Sequence, residues 1–238
     1  MNKPFMKIGF LGLLVAGMSI GLMMVFPSKA PWMMEGFATP IIAFEFVKSQ
    51  TEVYKLFGLH DALDQLSMAQ SMISTMDLGN KLDYIYMVLY SSFLFFFSGV
   101  CAKTTRQKYY YTGSVLSIVI LFADAMENVQ LLGITAKMTR LDFGNELFFL
   151  HWFTWIKWGG ITLVFFILTP YFFKGRIYSK LMAVAGLSSF ILSVLAYLHR
   201  SVLNEIMGIF VALMFVMMIV YCFIYKTKVD HDHDLVYK

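Results

Sequence analysis

Hydrophobic residues fall along this chain in long blocks. Six apolar runs lie at 8–26, 82–102, 110–135, 146–169, 181–198 and 206–225. Each is close to the roughly 20 residues that a helix needs to cross a hydrocarbon core. The short alternating segments of a membrane β-barrel are absent. The pattern predicts an all-α fold, a polytopic membrane helical bundle of about six transmembrane helices, with residues 1–238 forming one membrane domain. The first run follows Lys3 and Lys7 and is longer than the usual apolar core of a signal peptide, so it is read as an uncleaved span. Gly17 and Gly21 on it form a GxxxG pattern, a weak signal for helix packing.

Polarity changes between the first two runs. Over 27–80 the apolar positions recur with helical rather than strand spacing, and a connection of this size is expected to carry structure of its own. Thr39-Pro40 is a good helix start, with Thr as N-cap and Pro at the first helical position. A helix from Pro40 to about Phe57 gathers Ile42, Phe46, Val53 and Phe57 on one side and Glu45, Lys48, Ser49, Glu52 and Lys55 on the other, with Gly58 as its stop. A second amphipathic helix is predicted from about Asp61 to Met76, ended by 77–80. Both are expected to lie at the membrane surface or to cap the bundle.

Charge sets the expected orientation. Eleven of the 19 Lys and Arg fall on the side of the two termini, seven on the opposite side, and Lys157 lies inside a span. The positive-inside rule then puts both termini in the cytoplasm and 27–80 outside, with 226–238 as a cytoplasmic tail. The net charge of +4 is explained by these short basic loops, so no nucleic-acid partner is implied. Cys101 and Cys222 have no metal-ligand spacing and are not expected to form a disulfide.

The chemistry is expected where polar residues interrupt the spans. The third run contains Asp124, Glu127 and Asn128, whose i, i+3, i+4 spacing places all three on one helical face. A carboxylate at mid-membrane costs about 2.5–3.5 kcal/mol, so a pair within one turn needs a partner, a proton or water. Lys157 in the fourth run reaches the same level as Asp124 when depth is counted at about 1.5 Å per residue from the span ends. Asp83 and Tyr90 share a face of the second run, His151 lies nearer the mouth of the fourth, and Glu45 lies on the surface helix. Together these residues predict an acidic pocket opening on the side of 27–80. Asp124 and Lys157 are expected to form an ion pair, leaving Glu127 protonated or bonded to water, with the Glu45 helix as a lid.

Other signatures are missing. There is no G-x-S-x-G, H-E-x-x-H, P-loop or dinucleotide fingerprint, and no cofactor or metal site is expected. The run Asp230-His231-Asp232-His233-Asp234 is read as a solvated tail. From Glu45 through Asp83, Tyr90 and Asp124-x-x-Glu127-Asn128 to Lys157-Trp158, the chain resembles small bacterial inner-membrane proteins. The resemblance implies a location and a set of site residues, not a reaction. The expected function is binding or transport of a proton or a small or lipid-like ligand within the lipid bilayer. A membrane-embedded enzyme with Asp124 or Glu127 as general acid/base, or a structural subunit, are the alternatives.

Overall fold

The computed structural model describes residues 3–59, 66–138 and 142–226. These form eight α-helices and no strand: α1 (Met6–Val25), α2 (Pro40–Glu45), α3 (Gln50–Phe57), α4 (Leu66–Thr105), α5 (Tyr111–Lys137), α6 (Gly144–Phe173), α7 (Ile177–Leu198) and α8 (Val202–Ile224). Six of them, α1 and α4 to α8, are long and apolar enough to cross a membrane, which makes this a multi-pass helical membrane protein. Arg140, residues 61–65 of the second predicted amphipathic helix and the tail from 227 lie outside the described residues.

Short connections dictate the topology. Residues 106–110, 174–176 and 199–201 leave room only for antiparallel neighbours, and each of α5 to α8 packs on the helix before it. The sequence of helices closes into a ring where α1 packs against both α4 and α8. The start of α1 and the end of α8 meet, where the Phe5 ring packs on Tyr221 and Tyr225. That half of the bundle is filled with aromatic rings. Phe93, Phe97, Phe165 and Phe172 are fully buried, and Phe215 and Tyr221 nearly so. Lipid chains are as apolar as these rings, so close packing rather than hydrophobic burial holds them together. Large apolar side chains such as Met24, Phe122, Ile177 and Ile209 face outward, as lipid contact requires.

The opposite half is capped by the segment that follows α1. A single helix over Pro40–Phe57 is not formed: the chain makes α2, breaks over 46–49 and restarts as α3. Ser49 is the reason. Its side chain accepts a hydrogen bond from Glu52 N (3.2 Å), and the Glu52 carboxylate accepts from Lys48 N (2.7 Å), a cap that satisfies the first amides of a new helix. Gly58 ends α3 at φ +74°, as its position predicted. Buried Phe44, Phe57, Met76, Ile134, Phe143 and Leu150 join this cap to the bundle.

The second predicted amphipathic helix has no stop at 77–80. Helix α4 runs without a break from Leu66 to Thr105, so the surface portion and the span are one rod. No proline interrupts it, and Gly79 is tolerated because the Phe26 ring occupies the place of a β-carbon. Helix α6 carries Pro170 in its final turn and ends at Phe173. On α1, Gly9 and Gly12 are the glycines that admit neighbours, against Phe223, Ile219 and Phe93, whereas Gly17 and Gly21 face open space.

One glycine is required by backbone geometry. Gly36 has φ +83°, and a β-carbon there would lie 2.5 Å from Val202 N. Gly36→Ala is expected to cost about 1–3 kcal/mol, seen as a lower thermal midpoint in detergent. Gly17→Ala, with nothing in reach of its β-carbon, serves as the near-neutral control.

Candidate functional site

Helix α5 turns Asp124, Glu127 and Asn128 inward on one face, and all three are buried. Helix α6 approaches closely because Gly160 leaves room for Ile120, and this contact brings Lys157 to the carboxylates. The Lys157 ammonium binds Glu127 Oε2 in a very short contact, Glu45 Oε1 at 3.0 Å and Asp124 Oδ1 at 3.5 Å. Thr154, one turn earlier on α6, donates to Glu127 Oε1 (2.6 Å), with the Glu45 carbonyl 3.3 Å from the same hydroxyl. The Tyr90 hydroxyl on α4 donates to Asp124 Oδ2 (2.5 Å), a distance typical of a charge-assisted bond. Asp124 Oδ1 is buried and receives no hydrogen bond, with the Lys157 ammonium 3.5 Å away.

Two expectations change here. Lys157 was expected to pair with Asp124 and leave Glu127 over. The Asp124 pair is present, but Lys157 also binds Glu127 and Glu45, and Asp124 accepts from Tyr90 as well. Glu45 was placed on the wet side of a surface helix. The break after α2 instead turns its carboxylate into the bundle, where Trp158 Nε1 donates to Oε2 (2.8 Å) and Lys157 holds Oε1. Glu45 is thus part of the cluster itself. Asp83 joins at the edge, accepting from Asn128 Nδ2 (2.7 Å). His151 does not reach the acids. Its ring lies among Trp152 and Tyr197 at the lip of a small recess that also touches Glu45, Lys48, Thr154 and Arg200. The cluster is therefore closed by α2 rather than forming an open acidic pocket, and the recess has room for about one water molecule.

Two anchors that the sequence reading did not find fix the Glu45 segment. Before α2, the Glu205 carboxylate at the start of α8 accepts from Ala38 N (2.9 Å), Thr39 N (2.8 Å) and Thr39 Oγ1 (2.8 Å). After α2, Arg200 donates to the Phe46 carbonyl (2.9 Å) and makes a two-pronged pair with Glu52 (2.8 and 2.5 Å). Partial burial works to raise the Glu52 pKa. The hydrogen bonds from Arg200 and Lys48 N, with the charges of Arg200 and Lys48, outweigh it and hold the carboxyl below its ordinary value of 4.5.

A depressed folded pKa stabilises above the unfolded value and loses that contribution as pH falls through the folded one. Proteolysis within 46–58 is therefore expected to increase below about pH 4.5, and Arg200→Met should remove that pH dependence.

Thr154 and Trp158 complete the cluster. Thr154 could have been found as the polar residue one turn from Lys157. Among the described residues, no group of three or more His, Cys, Asp or Glu side chains is placed to hold a metal ion. Compared with known proteins, the chain matches no family model, no curated protein and no solved structure.

Proposed function

We propose that this chain is a bacterial inner-membrane protein, with both termini in the cytoplasm, whose buried cluster binds protons and exchanges them with the outside. The observation that carries this reading is the charge count. Four carboxylates, Glu45, Asp83, Asp124 and Glu127, share their surroundings with one ammonium, Lys157. If all ionise, three negative charges remain in excess.

Magnitudes decide how that excess is relieved. An uncompensated charge inside the membrane costs about 2.5–3.5 kcal/mol. Two like charges about 6 Å apart repel by about 3 kcal/mol more at an effective dielectric constant of about 20. Keeping a proton at pH 7 on an ordinary glutamic acid costs about 3.7 kcal/mol. Protonation is the smaller cost for the acids that Lys157 does not neutralise. The water-sized recess favours a proton over a lipid-like ligand, and the aromatic packing of the terminal half favours exchange on the Glu45 side.

Proton uptake by the purified protein, followed with a pH dye in weak buffer on a small step of pH, tests the reading. The native protein is expected to bind and release more protons around neutral pH than Glu127→Gln or Asp124→Asn, while both variants remain folded. The close pairing around Lys157 favours a second reading, a network that only fixes helix register. In that case the same substitutions change stability and leave proton uptake around neutral pH unchanged.

A further inference from the structure

We infer that protons reach the cluster through the recess between α6 and α7, by way of a single water held against Glu45 and Thr154, rather than by lifting of the Glu45 segment. This inference rests on the proton-binding reading and names its access path and the size of what that path admits: water or hydronium, and no organic ligand.

Three observations meet at this point. The recess is the place where residues of the cluster and residues of the surface line one space. Glu45 and Thr154 form its inner wall, while Lys48, His151 and Arg200 form its lip, with Ala196 on the α7 side. Its inner wall carries the right chemistry, because Thr154 Oγ1 already bonds Glu127 and the Glu45 carboxylate touches Lys157. Glu45, Lys48, Thr154 and Arg200 among its lining residues supply polar groups of the kind that a stable buried water requires. The Glu45 segment is meanwhile pinned on both flanks, by Glu205 before α2 and by Arg200 after it. Lifting it would break at least the two charge-assisted anchors together.

The electrostatic surroundings of the path are mixed. Lys48 and Arg200 bring positive charge to the mouth, Glu52 neutralises Arg200, and Glu45 is held by Lys157 at the inner end. His151 on α6 and Tyr197 on α7 are the remaining titratable groups at the lip. Among the described residues, the bundle beyond Tyr90 is filled by Phe93, Phe97, Phe165 and Phe215.

The test fills the recess and reads a rate. Ala196 is fully buried on its wall, so Ala196→Leu places a side chain where the water would sit. The readout is the time course with which the infrared band of protonated carboxyls shifts after mixing the purified protein into D2O. Ala196→Leu is expected to slow the shift by about tenfold or more, equivalent to at least about 1.4 kcal/mol on the barrier, and to leave the band's starting position and size unchanged. Because an enlarged wall residue can disturb folding, a second variant works from the surface. Tyr197, half exposed at the lip, is replaced in Tyr197→Cys and then labelled with a bulky membrane-impermeant thiol reagent. The labelled protein is expected to exchange more slowly than the same preparation before labelling, whereas native protein, whose Cys101 and Cys222 are buried, is unaffected by the reagent. An unchanged rate with a folded, filled or labelled recess overturns the access path and leaves the proton-binding reading standing. Absence of any protonated-carboxyl band overturns both.

Discussion

Replacing Lys157 by Met is expected to destabilise the fold by about 3–5 kcal/mol, the penalty for removing one partner of a buried ion pair. Lys157 is the cation shared by Glu45, Asp124 and Glu127, and its side chain is only 8% exposed. Without it the three carboxyls face one another across a space that holds no other cation among the described residues. The loss should appear as a lower thermal midpoint in detergent and as poor recovery from the membrane. Adding Glu127→Gln to Lys157→Met is expected to restore part of the loss, because it removes one of the charges left unpaired. A double mutant no more stable than Lys157→Met would show that the cost is one of packing rather than of charge.

The second large effect is expected at Glu205. Its carboxylate accepts three hydrogen bonds from Ala38 and Thr39 and is itself buried. Hydrogen bonds to a charged group contribute about 1.5–3 kcal/mol each, and loss of the acceptor leaves two backbone amides unsatisfied. Glu205→Ala is expected to release the stretch from residue 36 to α2 while the six-helix ring stays intact. Hydrogen exchange should therefore rise over 36–48 by more than it rises in α5 or α6, and a protease should find new sites there. Uniform loss of protection across the bundle would mean that Glu205 supports α8 rather than the Glu45 segment.

What the sequence could show follows from what a helix fixes. The common face of Asp124, Glu127 and Asn128 is set by helical geometry alone, and counting residues from the span ends is enough to bring Lys157 to their level. The choice of partner is not local. Glu127 and Asp124 differ by three residues around and along α5, and the close approach of α6 at Gly160 and Ile120 lets Lys157 meet both. The position of Glu45 was hidden for a different reason. Its apolar neighbours fit a continuous amphipathic helix, while the signal for a break, Ser49 followed three residues later by Glu52, lies inside that pattern. Glu205 and Arg200 act on partners more than 100 residues away, and neither carries a local signature. Long-range pairs of this kind are set by the way α7 and α8 close the ring, which hydrophobic periodicity does not encode.

The ring also explains why one half of the molecule is polar and the other is not. Rigid aromatic packing at the terminal end keeps the spans in register, and the cap formed by α2 and α3 lets polar groups from four elements converge at the other end. Asp83 and Tyr90 come from α4, Asp124, Glu127 and Asn128 from α5, Thr154, Lys157 and Trp158 from α6, and Glu45 from α2. A cluster assembled in this way holds its charge in a fixed geometry, as the proposed proton-binding role requires.

The most direct measurement is the infrared spectrum of the purified protein at neutral pH, read in the carbonyl region of protonated carboxylic acids. The expected result is a band at pH 7 that ordinary exposed Asp and Glu do not give. It should shift in D2O and lose intensity or change position in Glu127→Gln, Asp124→Asn or Glu45→Gln. A spectrum without that band, or one that all three substitutions leave unchanged, would contradict a proton-binding cluster around Lys157.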